Sequence, residues 1–164
     1  MAEFDLVVSD LKITKDGVFD FNDLYKTIKS WLEFHKYDFF EKNYEDITKT
    51  ESKSVKIKFE AEKKIDDYHK FGMELTLKVG DHKIVISNDK KKKLVQGSLL
   101  VVIGAGIISD YEGEWEDKPV KKFFRGIYDK YVQADKRMML NNELKEEISG
   151  LYNEIKAFLN LQRF

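Results

Sequence analysis

An α+β fold, with an antiparallel sheet in mid-chain and helices toward the C-terminus, is what three features of the sequence predict. Two runs within residues 55–79 alternate apolar and polar side chains, the period-2 pattern of half-buried strands. The stretch 94–111, LVQGSLLVVIGAGIISDY, is the most apolar in the chain and rich in β-branched residues, which favours a strand. Beyond Pro119 the apolar spacing changes to threes and fours, the period of a helix.

Residues 4–13, FDLVVSDLKI, read as a strand. Phe4, Leu6 and Val8 alternate, and the phase then shifts to Leu11 and Ile13, which predicts a bulge near Ser9 and Asp10. Lys15-Asp16-Gly17 reads as a turn. Asn22 is the expected N-cap of a helix, with Asp23 favoured in its first turn. Leu24, Ile28, Trp31, Leu32 and His35 carry that helix to about Phe40, and a further turn or short helix is expected through Tyr44 and Ile47. Residues 48–54 are polar and read as a loop.

Val55, Ile57, Phe59 and Ala61 mark the next strand, and Phe71, Met73, Leu75, Leu77 and Val79 the one after it. Gly80-Asp81 reads as a tight hairpin turn into a short strand at Ile84 and Ile86. Residues 88–93, with their run of lysines, then turn the chain into the long apolar stretch. Short turns make this a four-stranded antiparallel meander. The last strand is longer than its hairpin partner, so its overhang is expected to pair with residues 4–13 or with another copy of the chain.

Two C-terminal helices are expected to pack on the sheet. Val120, Phe124, Ile127 and Tyr131 define the first, the pattern breaks over residues 135–142, and Leu144, Ile148, Leu151, Ile155 and Phe158 define the second. The 164 residues are expected to form a single α+β domain.

In the stretch 94–111, Val95, Leu99, Val101, Ile103 and Ile107 fall on one face of a strand and Leu94, Leu100, Val102 and Ile108 on the other. Both faces are apolar, so both call for a cover. VVIGAG followed by IIS resembles the opening of the dinucleotide-binding fingerprint of flavin and nicotinamide enzymes, in which a strand and a glycine turn lead into a helix N-terminus. Gly104 and Gly106 match its first two glycines, but Ser109 stands at the third. The acidic run Asp110, Glu112, Glu114, Glu116 and Asp117 follows where the helix should start, and its carboxylates would repel a pyrophosphate. The motif is therefore read as a glycine-kinked buried strand, and no cofactor is expected.

Composition narrows the function classes. With 42% hydrophobic and 36% charged residues, the chain can bury a core. A net charge of −1 gives no general attraction to nucleic acid or anionic membrane, and the lysines at 90–93 read as a solubilising turn. Cysteine is absent, which excludes disulfides, thiol nucleophiles and thiolate metal sites and fits a reducing, cytoplasmic setting. The N-terminus has no basic n-region, and no stretch reaches the length of a membrane span. His35, His69 and His82 lack ligand spacing, so no metal is expected. No catalytic set is defensible from spacing. A polar site at Asp110, Glu112 and Trp115 is the weaker alternative to a solvated strand end.

The element order β–α–β(n)–α resembles that of helix-grip domains, which enclose apolar ligands; the resemblance is one of order, and no motif is shared. Two functions are expected from these features. The first is a non-enzymatic protein-interaction or assembly module that self-associates, with Leu100, Val102 and Ile108 as the interface. The second is a small apolar-ligand-binding protein, or an enzyme, with a pocket between sheet and C-terminal helix lined by Leu99, Val101, Ile103, Phe124 and Ile127.

Overall fold

In a computed structural model, which describes residues 3–48, 53–86, 92–111 and 133–161, the alternating and apolar stretches become neighbours in one antiparallel sheet. The elements in chain order are β1 (Glu3–Phe19), α1 (Phe21–Phe34), β2 (Asp38–Thr48), β3 (Lys53–Lys64), β4 (His69–Ile86), β5 (Lys93–Ser109) and α2 (Gln133–Leu161). The sheet order is β1-β5-β4-β3-β2. β2 to β5 form a four-stranded meander, but not from the strands expected: residues 38–48 supply one and residues 84–86 only continue β4. β1 adds a fifth strand beside β5, with Glu3 opposite Ser109 and Phe19 opposite Val95. The class is α+β, with five antiparallel strands and two helices among the described residues.

The phase shift at Ser9 and Asp10 is a bulge: Val8 faces Ala105 but Leu11 faces Ile103, and Asp10 takes φ 48°. Lys15-Asp16-Gly17 is not a turn. β1 runs through it to Phe19, and Gly17 absorbs a φ of 125° opposite Gly97. Nor is Gly80-Asp81 a turn. The register slips by one residue between Gly80 and Lys83, Asp81 takes φ 44°, and pairing continues to Ile86 opposite Lys93. A residue held at positive φ serves a bulge as readily as a hairpin, so sequence at such a site does not separate the two. Because β4 is thus as long as β5, β5 has no overhang on that side.

The first helix starts earlier than expected. Asp20, not Asn22, is the N-cap, and its carboxylate accepts from the Asp23 N–H at 3.0 Å. It also ends sooner. Tyr37 N–H donates to the Leu32 carbonyl at 2.9 Å and Lys36 N–H to Glu33 at 3.1 Å, with Lys36 at φ 69°. This is a Schellman stop without a glycine. Residues 38–48 are consequently a strand and not the helical extension expected. Trp31, His35 and Phe39 imitate helical spacing, but Phe39 points inward from β2 onto Tyr25 and Phe59, at ring separations of 6.2 and 4.9 Å.

α2 runs unbroken across residues 135–142, where a break was expected. Only Leu140 is buried in that span, and Met138 and Met139 are exposed, so the turn is helical while offering the core little. The helix expected around Val120–Tyr131, with Phe124 and Ile127, lies outside the described residues.

The core lies between one face of the sheet and the two helices. Phe71, Leu75, Leu77, Val101 and Ile103 from the central strands meet Leu24, Ile28 and Leu32 of α1 and Leu144, Ile148, Leu151 and Ile155 of α2. Burying side chains of this size contributes about 1.5–3 kcal/mol each relative to leaving them exposed. Both helices belong to this one cluster. The opposite face of the sheet therefore carries no helix among the described residues.

Candidate interaction surface

The register sets out, row by row, the face on which no helix lies among the described residues. On β5 it presents Leu100, Val102, Gly104, Gly106 and Ile108. Across one row, Gly106 is flanked by Leu6 of β1, Gly72 of β4 and, through Gly72, Glu62 of β3. In the next row, Gly104 lies beside Glu74 and then Glu60. Val102 lies beside Lys12 on one side and Thr76 and Lys58 on the other. Leu100 lies beside Thr14 on one side and Lys78 and Lys56 on the other.

The glycines leave a hollow in this face. A cleft of about 410 Å³ has Gly72 and Gly104 in its floor, Phe4 and Leu6 on one wall and Glu60 and Glu62 on the other. The Phe4 ring covers Gly106: a Cβ there would stand 2.5 Å from Phe4 Cζ and 2.5 Å from the Asp5 carbonyl oxygen. At Gly104 a Cβ would meet nothing closer than the Val8 carbonyl oxygen at 3.8 Å, so its hollow is open. Phe4 and Leu6 are 57% and 61% exposed, far more than core side chains of their kind. The acids on the opposite wall carry lysines: Lys42 to Glu60 at 2.6 Å, Lys58 to Glu74 at 3.1 Å and Lys70 to Glu62 at 3.4 Å.

The expected interface residues Leu100, Val102 and Ile108 all lie on this face and are half-buried. Leu99, Val101 and Ile103, expected to line a pocket, are buried on the opposite face within the helix-packed core. Asp110 of the expected polar site is buried just past β5 at φ 53°, and its N–H donates to the Tyr68 carbonyl at 2.8 Å. Glu112 and Trp115 lie outside the described residues.

Sequence spacing did not reveal two polar clusters on the helix side. At the entry to β4, Asp66 accepts from the Tyr68 and His69 N–H groups at 2.8 and 2.7 Å and from Lys136 of α2 at 2.5 Å. His69 Nδ1 lies 3.1 Å from both Asp66 oxygens, and Tyr111 donates to the Asp66 carbonyl at 2.7 Å. Burial alone would raise the Asp66 pKa. Lys136, the two backbone N–H groups and His69 outweigh it and hold the carboxyl well below the usual carboxylate range. The His69 ring is fully buried, and Nε2 has no hydrogen-bond partner among the described residues. The imidazole is closed to a dissolved substrate, and the partly exposed Asp66 carboxylate ties the β3–β4 connection to α2. Proximity of Asp66 to His69 in sequence was the one available signal.

The second cluster joins Tyr37, Lys63 and Glu147. The Glu147 carboxylate accepts from Tyr37 and from Lys63, each at 2.5 Å. Elsewhere, α1 and α2 border an open groove at Trp31, Phe34 and Phe158, with the His35 ring stacked on Trp31 at 3.8 Å. Among the described residues no group of three or more potential ligands could hold a metal ion. Nor is any described helix long and apolar enough to cross a membrane.

β5 passes straight through Gly104 and Gly106, hydrogen-bonded to a strand on each side, and residues 110 and 111 after it are not helical. The helix N-terminus that a dinucleotide fingerprint places after its glycines is absent there. The chain matches no protein-family model and no curated protein sequence.

Proposed function

We propose that this chain is a non-enzymatic, self-associating interaction module whose docking surface is the sheet face that neither α1 nor α2 covers. The observation that carries the reading is the apolar strip Phe4, Leu6, Leu100, Val102 and Ile108, set around glycine hollows on a face neither α1 nor α2 covers. An apolar patch of this kind, rimmed by polar residues, marks an interaction site more often than a bare surface. Among the described residues the two polar clusters tie elements together through internal hydrogen bonds, His69 fully buried in one and Tyr37 nearly so in the other. The cysteine-free composition fits work in a reducing, cytoplasmic setting.

A second reading, a binding protein for a small apolar molecule, draws on the same cleft. Its volume of about 410 Å³ falls within the range of ligand pockets. The carboxylates of its wall and its open mouth favour a protein partner over an enclosed ligand.

Analytical ultracentrifugation of wild type and Val102→Asp, over roughly 1–200 µM, separates the two. Wild type is expected to associate reversibly, and the buried carboxylate of Val102→Asp to weaken association at least about 30-fold. A wild type that stays monomeric, or a variant that associates equally well, refutes self-association through this face. Releasable small-molecule mass on a wild-type monomer supports the second reading.

A further inference from the structure

We infer that the occupant of the face that neither α1 nor α2 covers is a second copy of this chain, packed face to face about a two-fold axis that crosses the strands between the Gly104 and Val102 rows. The inference rests on the reading of that face as a docking surface and specifies its register. Across these four rows, charge on β1, β3 and β4 is banded. Glu60, Glu62 and Glu74 occupy the Gly104 and Gly106 rows, whereas Lys12, Lys58, Lys56 and Lys78 occupy the Val102 and Leu100 rows.

A two-fold axis lying in the interface and crossing the strands leaves each strand over its own counterpart and reverses the order of the rows. The Gly104 row then meets the Val102 row, and the Gly106 row meets the Leu100 row. Three matches follow from this one operation. Glu60 faces Lys58 of the partner subunit, and Glu62 faces the partner's Lys56. The open hollow at Gly104 receives the partner's Val102, where the nearest atom to a Cβ would be 3.8 Å away. An interface that satisfies itself under a two-fold operation is the kind closed dimers use.

The in-chain pairs explain why the partner carries both signs. Glu60 and Glu74 already hold Lys42 and Lys58. A purely basic partner would compete for occupied carboxylates, while a second copy joins each existing pair into a cluster of alternating charges. Aligned sheets cross at about 30°, so the register is tightest near the axis, at Gly104, Val102, Lys58 and Glu60. Four strands overlapping by about eight residues cover roughly 500 Å² per copy at ordinary strand spacing. The total of about 1,000 Å² is at the lower limit of specific interfaces, so the dimer is expected to be a micromolar one.

Charge reversal tests the register. Lys58→Glu alone sets a carboxylate against the partner's Glu60, and Glu60→Lys alone sets an ammonium against the partner's Lys58, twice per dimer in each case. Each variant is expected to lose at least about 30-fold in dimer affinity. An equimolar mixture restores attraction at both contacts, so native mass spectrometry of the mixture is expected to show a heterodimer with near wild-type affinity. Unchanged dimerisation of either variant overturns the inference, as does a mixture of two folded variants that stays monomeric.

If Val102→Asp dissociates the dimer while the mixture is not rescued, the register falls and the docking face stands. The wild type offers a check independent of folding. Its dimer is expected to weaken at least about fivefold between low salt and about 1 M salt, where the Debye length falls to about 3 Å. A salt-independent affinity overturns the banded-charge register.

Discussion

Replacing Glu147 by alanine is expected to destabilise the fold by about 3 kcal/mol, although the residue belongs to no apolar core. Glu147 binds two partners that are largely shielded from water. Tyr37 is 4% exposed, and the Lys63 and Glu147 side chains are 18% and 14% exposed. Hydrogen bonds to a charged partner contribute about 1.5–3 kcal/mol each, and breaking a buried ion pair by removing one member costs about 3–5 kcal/mol. The two figures describe overlapping effects and do not add. The Lys63 ammonium also lies 5.5 and 5.9 Å from the Tyr37 and Phe71 ring centroids, and these contacts survive the change and offset part of the loss.

Urea unfolding followed by circular dichroism measures the difference, and the thermal midpoint should fall by roughly 6–12 °C for a chain of this size. Adding Lys63→Met to Glu147→Ala removes the stranded charge and should recover about half of the loss. A Glu147→Ala variant within about 0.5 kcal/mol of wild type refutes the reasoning, since that is the range of an ordinary surface substitution. The same cluster sets an alkaline limit. Burial, then the hydrogen bond to and charge of Glu147, then Glu143, push the Tyr37 phenol well above its ordinary value. A group whose folded pKa is raised loses its contribution as pH rises past the unfolded value. Stability is therefore expected to fall above about pH 10, and less so in Tyr37→Phe.

Two further predictions concern the glycine pair and the acid limb. Gly106→Ala forces a Cβ to within 2.5 Å of the Asp5 carbonyl oxygen, so β1 must shift, at a cost of about 1–3 kcal/mol. Gly104→Ala finds open space and is expected to leave stability within about 1 kcal/mol, so equal midpoints in urea for the two variants would contradict the packing of Phe4 and β1 over Gly106. Asp66, whose folded pKa lies below its unfolded one, contributes stability that is fully present above about pH 4 and is lost as pH falls further. Wild type should lose that increment progressively as pH falls below about 4 while Asp66→Asn does not, and parallel pH–stability curves would count against the Asp66 network.

The period-2 runs at Val55–Ala61 and Phe71–Val79 were legible because one wet face and one dry face write themselves into alternation. The bulge at Ser9 and Asp10 was legible as a phase slip for the same reason. β2 was not, because its side chains at residues 40–46 are exposed on both faces and carry no pattern. Gly80-Asp81 reads as a turn because a turn and a bulge both admit a positive φ, here taken by Asp81. On the candidate surface, Leu100, Val102 and Ile108 were legible as the second apolar face of one strand. Phe4 and Leu6 were legible only as strand residues. Their place beside Gly72 and Gly104 depends on β1 pairing with β5, at the opposite end of the sheet from β2, the next strand in sequence.

Composition and periodicity by themselves determined the α+β class, the central antiparallel strands β3 to β5, the buried face of β5 and the apolar character of its other face. These are local properties, set by which side chains shun water and how often they recur. Tertiary structure alone decided which face the helices took, what filled each glycine hollow, and that Asp66 and Glu147 would hold partners from 70 and 110 residues away. Those outcomes depend on which strands pair and in what register. No short-range pattern encodes a register that is settled by the burial of the whole core at once.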